Sequence, residues 1–215
     1  MIKALRFVFM LPLLANILFG QSAQQSQAII PITRSNADPQ PATTKNESTL
    51  AAITEFVASI KDGNGNLIRG LYAANRFALK VIQQPVNDYS FVSTREGEVT
   101  QFQLAAKYGT IGFLAHNFLS GSFFSKLELG DVIQVVYGDG RVDQFKIQKI
   151  LQYQALQPTS PKSQFVNLSG GQVISAAQLF KEVYSNKDQL VLQTCLEKNG
   201  VDTWGRVFLI AKPIR

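Results

Sequence analysis

The chain has 215 residues but only one cysteine and one histidine. A single thiol excludes an internal disulfide, and a single imidazole leaves one Cys–His pairing to consider, that of Cys195 with His116. Charge is also sparse: 21 Lys and Arg against 15 Asp and Glu give +6, or +4 once Lys3 and Arg6 of the N-terminal segment are set aside. No cluster of cations interleaves with aromatics, which argues against a nucleic-acid binder. No acidic cluster of the calcium-binding kind is evident, and the sequence calls for neither a metal nor a cofactor. There is no internal repeat, and the N-terminal apolar run, residues 7–19, is shorter than the roughly 20 residues of a comfortable membrane span.

What is present begins with an N-terminal segment, residues 1–22, in which Lys3 and Arg6 precede that apolar run and small residues follow it. This is the pattern of an export signal, cleaved or retained as an anchor, and it places the protein outside the cell or on its surface. No cysteine lies near the cleavage site, so a lipoprotein anchor is excluded. Residues 23–48 are rich in Gln, Ser, Thr, Asn and Pro and read as a flexible linker, leaving 49–215 as the folded domain. Contact with a membrane is expected only through the first segment.

The domain reads as mostly β. "EFVASI" looks strand-like, and "DGNGN" looks like a hairpin turn. Asp62, Asn64 and Asn66 mimic the start of a calcium loop, but Leu67 stands where glycine is needed and Ala73 where a bidentate acid is needed. A short helix is expected near 101–108, stopped by Gly109, and then a buried strand near 111–116. Two strands at 132–137 and 142–150 flank Gly138-Asp139-Gly140. Ser175 and Gln178 form a capping-box pattern ahead of a helix, and the last strands are expected at 189–195 and 204–212. Short strands, tight turns and two or three short helices point to a mostly β barrel or sandwich.

The one thiol sits in "LVLQTCLEKNGVDTWGRVFLI", residues 190–210. If these two apolar runs pair antiparallel, Cys195 and Arg206 come within cross-strand reach. A guanidinium never deprotonates in a protein, so beside a thiol it favours the thiolate or holds an oxygen that gains charge. His116 ends the apolar run "TIGFLA" and is the one imidazole able to exchange a proton with that thiol. Without such partners, a lone buried cysteine is an inert apolar residue.

"LQTC" with Arg206 on the next strand, "LAH" far upstream and "FFSKLELGDVIQVVYGDG" between them resembles the sortases, cysteine transpeptidases of bacterial surfaces. The resemblance runs from about residue 76 to 213, with Val191 standing where the family commonly has threonine. It implies a closed eight-stranded sortase-like β barrel. Carried over, it makes Cys195 the nucleophile, His116 the acid/base and Arg206 the stabiliser of the substrate carbonyl or oxyanion. Thr194 matches a family threonine of the same oxyanion environment. The implied partners are the peptide sorting signal of a surface protein, of LPXTG type, and an amine acceptor. The segment 152–187 is longer and more helical than a minimal member needs and is expected over or beside the substrate groove. A thiol peptidase that resolves the intermediate with water, and a non-catalytic barrel that binds peptide or glycan, are the alternatives. An L,D-transpeptidase is disfavoured because Cys195 lacks that family's "SHGC" setting.

Overall fold

A computed structural model describes residues 43–215. The expected signal at 1–22 and most of the linker at 23–48 lie outside the described residues. The first element is helix α1 (Thr43–Ile60), which corrects the strand-like reading of "EFVASI". Ile53, Phe56, Val57 and Ile60 recur at three- and four-residue steps and pack with Tyr72, Val136 and Val142. Six residues were too short a window to tell that spacing from alternation. A Cβ on Gly70 would lie 2.8 Å from the Phe56 ring, so the helix crosses the sheet where one residue has no side chain. "DGNGN" is likewise not a hairpin. It leads from α1 into a strand through side-chain-capped turns, with Asn64 N–H donating to Asp62 and Asn66 N–H to Asn64.

Then follow β1 (Ile68–Ala73), β2 (Phe77–Gln83), β3 (Glu98–Gln101), α2 (Gln103–Ala106), β4 (Thr110–Leu114), α3 (Gly121–Phe124), β5 (Val132–Tyr137) and β6 (Val142–Ala155). The chain finishes with β7 (Gln164–Asn167), β8 (Val173–Ser175), α4 (Ala176–Tyr184), β9 (Gln189–Lys198) and β10 (Val201–Pro213). Strands pair in the order β10-β9-β4-β3-β2-β1-β5-β6, and β6 pairs back onto β10. Those eight close a barrel, which leaves them no free edge, while the β7–β8 hairpin extends the sheet beyond β6. The closed eight-stranded barrel with three short helices is as the sequence implied, with the longer α1 added. Among the described residues no helix is long and apolar enough to cross a membrane.

Alternation along β9 and β10 sorts their side chains onto two faces. Leu190, Leu192, Val207 and Leu209 fill the barrel interior with Phe113 and Phe124. Val191, Phe208 and Ile210 point outward into a second cluster with Tyr153, Leu179 and Tyr184. That outer cluster docks α4, whose N-terminus carries the expected capping box: Ser175 Oγ accepts from Gln178 N–H while Gln178 reaches back to Ser175 N–H.

Candidate active site

Outer-face residues of β9 and β10 build the site. The hairpin joining these strands is tighter than expected. Asn199 and Gly200 both have positive φ, as a two-residue turn requires, so β9 runs on to Lys198 and Cys195 lies within the strand rather than at its end. Cys195 and Arg206 are direct register partners. One strand further, Arg206 is also the register partner of Tyr153 on β6. Directly paired residues share a face, so Tyr153, Arg206 and Cys195 form a row on the outer surface.

On the other side of β9 lies β4, which leads toward His116. β4 runs parallel to β9 with Leu114 opposite Gln193, and Ala115 N–H donates to Gln193 O, carrying the ladder one step past the strand end. β4 itself ends at Leu114, and Ala115 O accepts from Thr194 Oγ1, so the chain enters His116 beside the residue that precedes Cys195. Its ring stacks on Phe118 with centroids 5.2 Å apart. His116, Cys195 and Arg206 are each half-buried.

Thr194 stands apart. Its side chain is buried on the opposite face of β9, where Oγ1 donates to Ala115 O at 2.8 Å. The hydroxyl is therefore committed to fixing the end of β4 immediately before His116, and does not reach the face that carries the thiol.

Electrostatics at the thiol are opposed. Burial pushes the Cys195 pKa above the ordinary thiol value, the Arg206 guanidinium pulls it down, and the Asp202 carboxylate pushes it up. Arg206 is itself anchored, with Nη1 donating to Gly205 O at 2.8 Å and Thr203 O at 3.1 Å. Asn117 Nδ2 donates to Asp202 O at 3.1 Å, tying the loop that carries His116 to the β9–β10 hairpin. Asn117 was not legible in the sequence, since it acts through a contact between segments 85 residues apart.

A groove of about 200 Å³ opens on the same face. Its walls include Phe102, Phe165, Phe180 and Phe208, and Gln193 and Arg206 supply polar atoms. Segment 152–187 contributes Phe165 and α4 to one wall, and neither Cys195 nor His116 is among the lining residues. A larger cavity of about 590 Å³ lies by the starts of β4 and β9 and contains none of the candidate residues. Among the described residues no three His, Cys, Asp or Glu side chains gather as a metal site.

No protein-family model matches the chain, and no curated protein matches it. Among solved structures it is similar to sortase C1 of Streptococcus suis, at 12% identity and a TM-score of 0.47, over 82% of this chain and 87% of that one. Sortase A of Listeria monocytogenes aligns at 11% identity and a TM-score of 0.44, over 69% and 88%. A sortase D5 transpeptidase of Clostridium perfringens aligns at 16% and 0.42, over 80% and 93%. Likeness at this level assigns neither family nor activity.

Gly121 sets how closely the His116 loop packs on β9. A Cβ there would fall onto Thr194 Oγ1 and lie 2.6 Å from His116 O, which already accepts from Gly121 N–H. Gly121→Ala is therefore expected to displace the loop, lowering stability by about 1–3 kcal/mol and any His116-dependent rate by about tenfold or more. Thermal unfolding alongside peptide turnover checks both effects.

Proposed function

We propose that the protein is a sortase-type cysteine transpeptidase, exported and acting at the cell surface. The observation that carries the reading is a thiol paired in register with a guanidinium, with the only imidazole of the chain two residues past the end of the adjoining strand β4. The eight-stranded barrel and the "LQTC" resemblance support it.

In this reading Cys195 Sγ, as thiolate, attacks a substrate carbonyl carbon, and Arg206 donates to the oxygen as it becomes an oxyanion. The scissile C–N bond breaks while imidazolium His116 gives its proton to the departing amine. A thioester on Cys195 remains. An acceptor amine then attacks that thioester, His116 takes the amine proton, and the C–S bond breaks to release the thiolate. Thr194 enters as a positioning residue that fixes the chain just before His116. The substrate class is the peptide sorting signal of a surface protein, of LPXTG type, cleaved after its threonine.

The experiment separates transfer from hydrolysis. LPXTG-type peptides are incubated with the enzyme, with and without a glycine or lysine amine, and products are identified by mass. The expected result is a new amide product that grows with amine concentration. Hydrolysed product alone, insensitive to amine, would establish the thiol-peptidase alternative, and no product from any peptide would leave a binding barrel.

A further inference from the structure

Gln193, like Arg206, is a residue of the groove with donors still to spend. It lies two positions before Cys195 on the same outer face of β9, opposite Phe208 on β10. The Tyr184 hydroxyl donates to its Oε1 at 2.5 Å. Tyr184 is buried against Phe102, Phe180 and Phe208, so its O–H has an apolar surround and one partner. Burial also pushes the phenol pKa far up, which keeps the proton on. Reversing the amide would leave that buried O–H unsatisfied, so the hydroxyl fixes which end of Gln193 is which.

The consequence is directional. With Oε1 held on Tyr184, the Nε2 end is turned away from the clamp, and no described residue accepts from it. It is not sealed in either, because the one buried, unpartnered side-chain polar atom among the described residues is Ser120 Oγ. The groove around it is otherwise walled mainly by aromatic and aliphatic side chains. A mainly apolar groove with few fixed polar groups takes its ligand's orientation from those groups.

We propose that Gln193, clamped by Tyr184, is a substrate-binding residue that donates from Nε2 to a main-chain carbonyl of the bound peptide, about two residues upstream of the scissile bond. This rests on the transpeptidase reading. The offset follows from strand geometry: two residues of β9 span about 7 Å, which is also about two residues of an extended peptide lying along it. The clamp holds the amide in one rotamer, so little side-chain freedom is lost on binding. Reading a backbone carbonyl fixes the register of the peptide against Cys195 without fixing which side chain it carries there.

The test uses the peptide that the wild type cleaves best from an Xaa-Xaa-Xaa-Thr-Gly library. Gln193→Leu removes both donors at similar size. Tyr184→Phe/Gln193→Leu removes the clamp as well, so no buried hydroxyl is left unpaired if the single variant folds poorly. In both, KM is expected to rise about tenfold with kcat within about twofold, while the rate of Cys195 alkylation by iodoacetamide stays within about twofold. Replacing the contacted peptide bond by a reduced CH₂–NH link should raise the wild-type KM similarly and leave the variants unchanged. Wild-type KM in both variants would overturn the assignment to Gln193 alone. A wild type acylated by no peptide in the library would overturn the transpeptidase reading, and this inference with it.

Discussion

Cys195→Ala is expected to abolish peptide transfer, lowering the rate by at least about 10³-fold, without unfolding the domain. The thiol is half-buried on the outer face and outside the interior cluster of Leu190, Leu192 and Phe113, so truncating it removes one sulfur from a partly solvated position. Its effect on stability should stay near or below about 1 kcal/mol. His116→Ala should lose a comparable factor, because a thiol without its proton partner neither ionises usefully nor protonates the leaving amine. The double variant should be no slower than either single one, since groups that act as a unit are lost together. Peptide transfer and thermal unfolding of the three variants check the set; additive losses would mean that Cys195 and His116 do not act together.

Arg206→Ala is the second large effect, expected to lower transfer by about 10²–10³-fold, the range for losing one fixed oxyanion donor. It should also change the thiol itself. Of the influences on Cys195, Arg206 alone pulls the pKa down, while burial and Asp202 push it up. Removing the guanidinium therefore raises the thiol pKa further, and the pH at which alkylation by iodoacetamide reaches half its maximum rate should move upward. Asp202→Asn should move it the other way. Arg206→Lys should restore part of the pH shift but little of the transfer rate, because an ammonium supplies charge without the planar fork that Gly205 O and Thr203 O hold in place. An unchanged pH profile in Arg206→Ala would show that the guanidinium does not face the thiol.

How much of this was legible in the sequence depends on how local each contact is. The neighbourhood of Cys195 and Arg206 was accessible because the two strands are joined directly, but the register was not: an Asn199-Gly200 turn alone sets Cys195 opposite Trp204, and an irregularity between Val201 and Gly205 shifts the partner to Arg206. The course of the chain into His116 was not derivable from strand patterns, because it depends on the parallel pairing of β4 with β9, whose facing residues are 79 positions apart. Only the family resemblance pairs His116 with the thiol. Helix α1 is not visible in "EFVASI" alone because its apolar positions, Ile53, Phe56, Val57 and Ile60, reveal their spacing only over about two turns. The need for glycine at 121 leaves no sequence signal, since it arises from the close approach of Thr194 on β9 and of His116 O in the loop after β4. The thiol's opposed electrostatics were half visible: Arg206 was expected beside it, but Asp202 lies in a hairpin whose shape the sequence reading drew as a loop. Gln193 was in plain view in "VLQTC", and alternation alone puts it on the thiol's face; what the sequence lacked was Tyr184, brought over it by α4.

The central claim is that Cys195 carries the substrate as a thioester. Intact-protein mass spectrometry after brief incubation with a library of threonine-glycine peptides tests it most directly. A single acyl adduct is expected that maps to Cys195, is released by hydroxylamine, and is absent from Cys195→Ala. A Cys195→Ala protein that still transfers peptide, or an adduct that maps to any other residue, would contradict it.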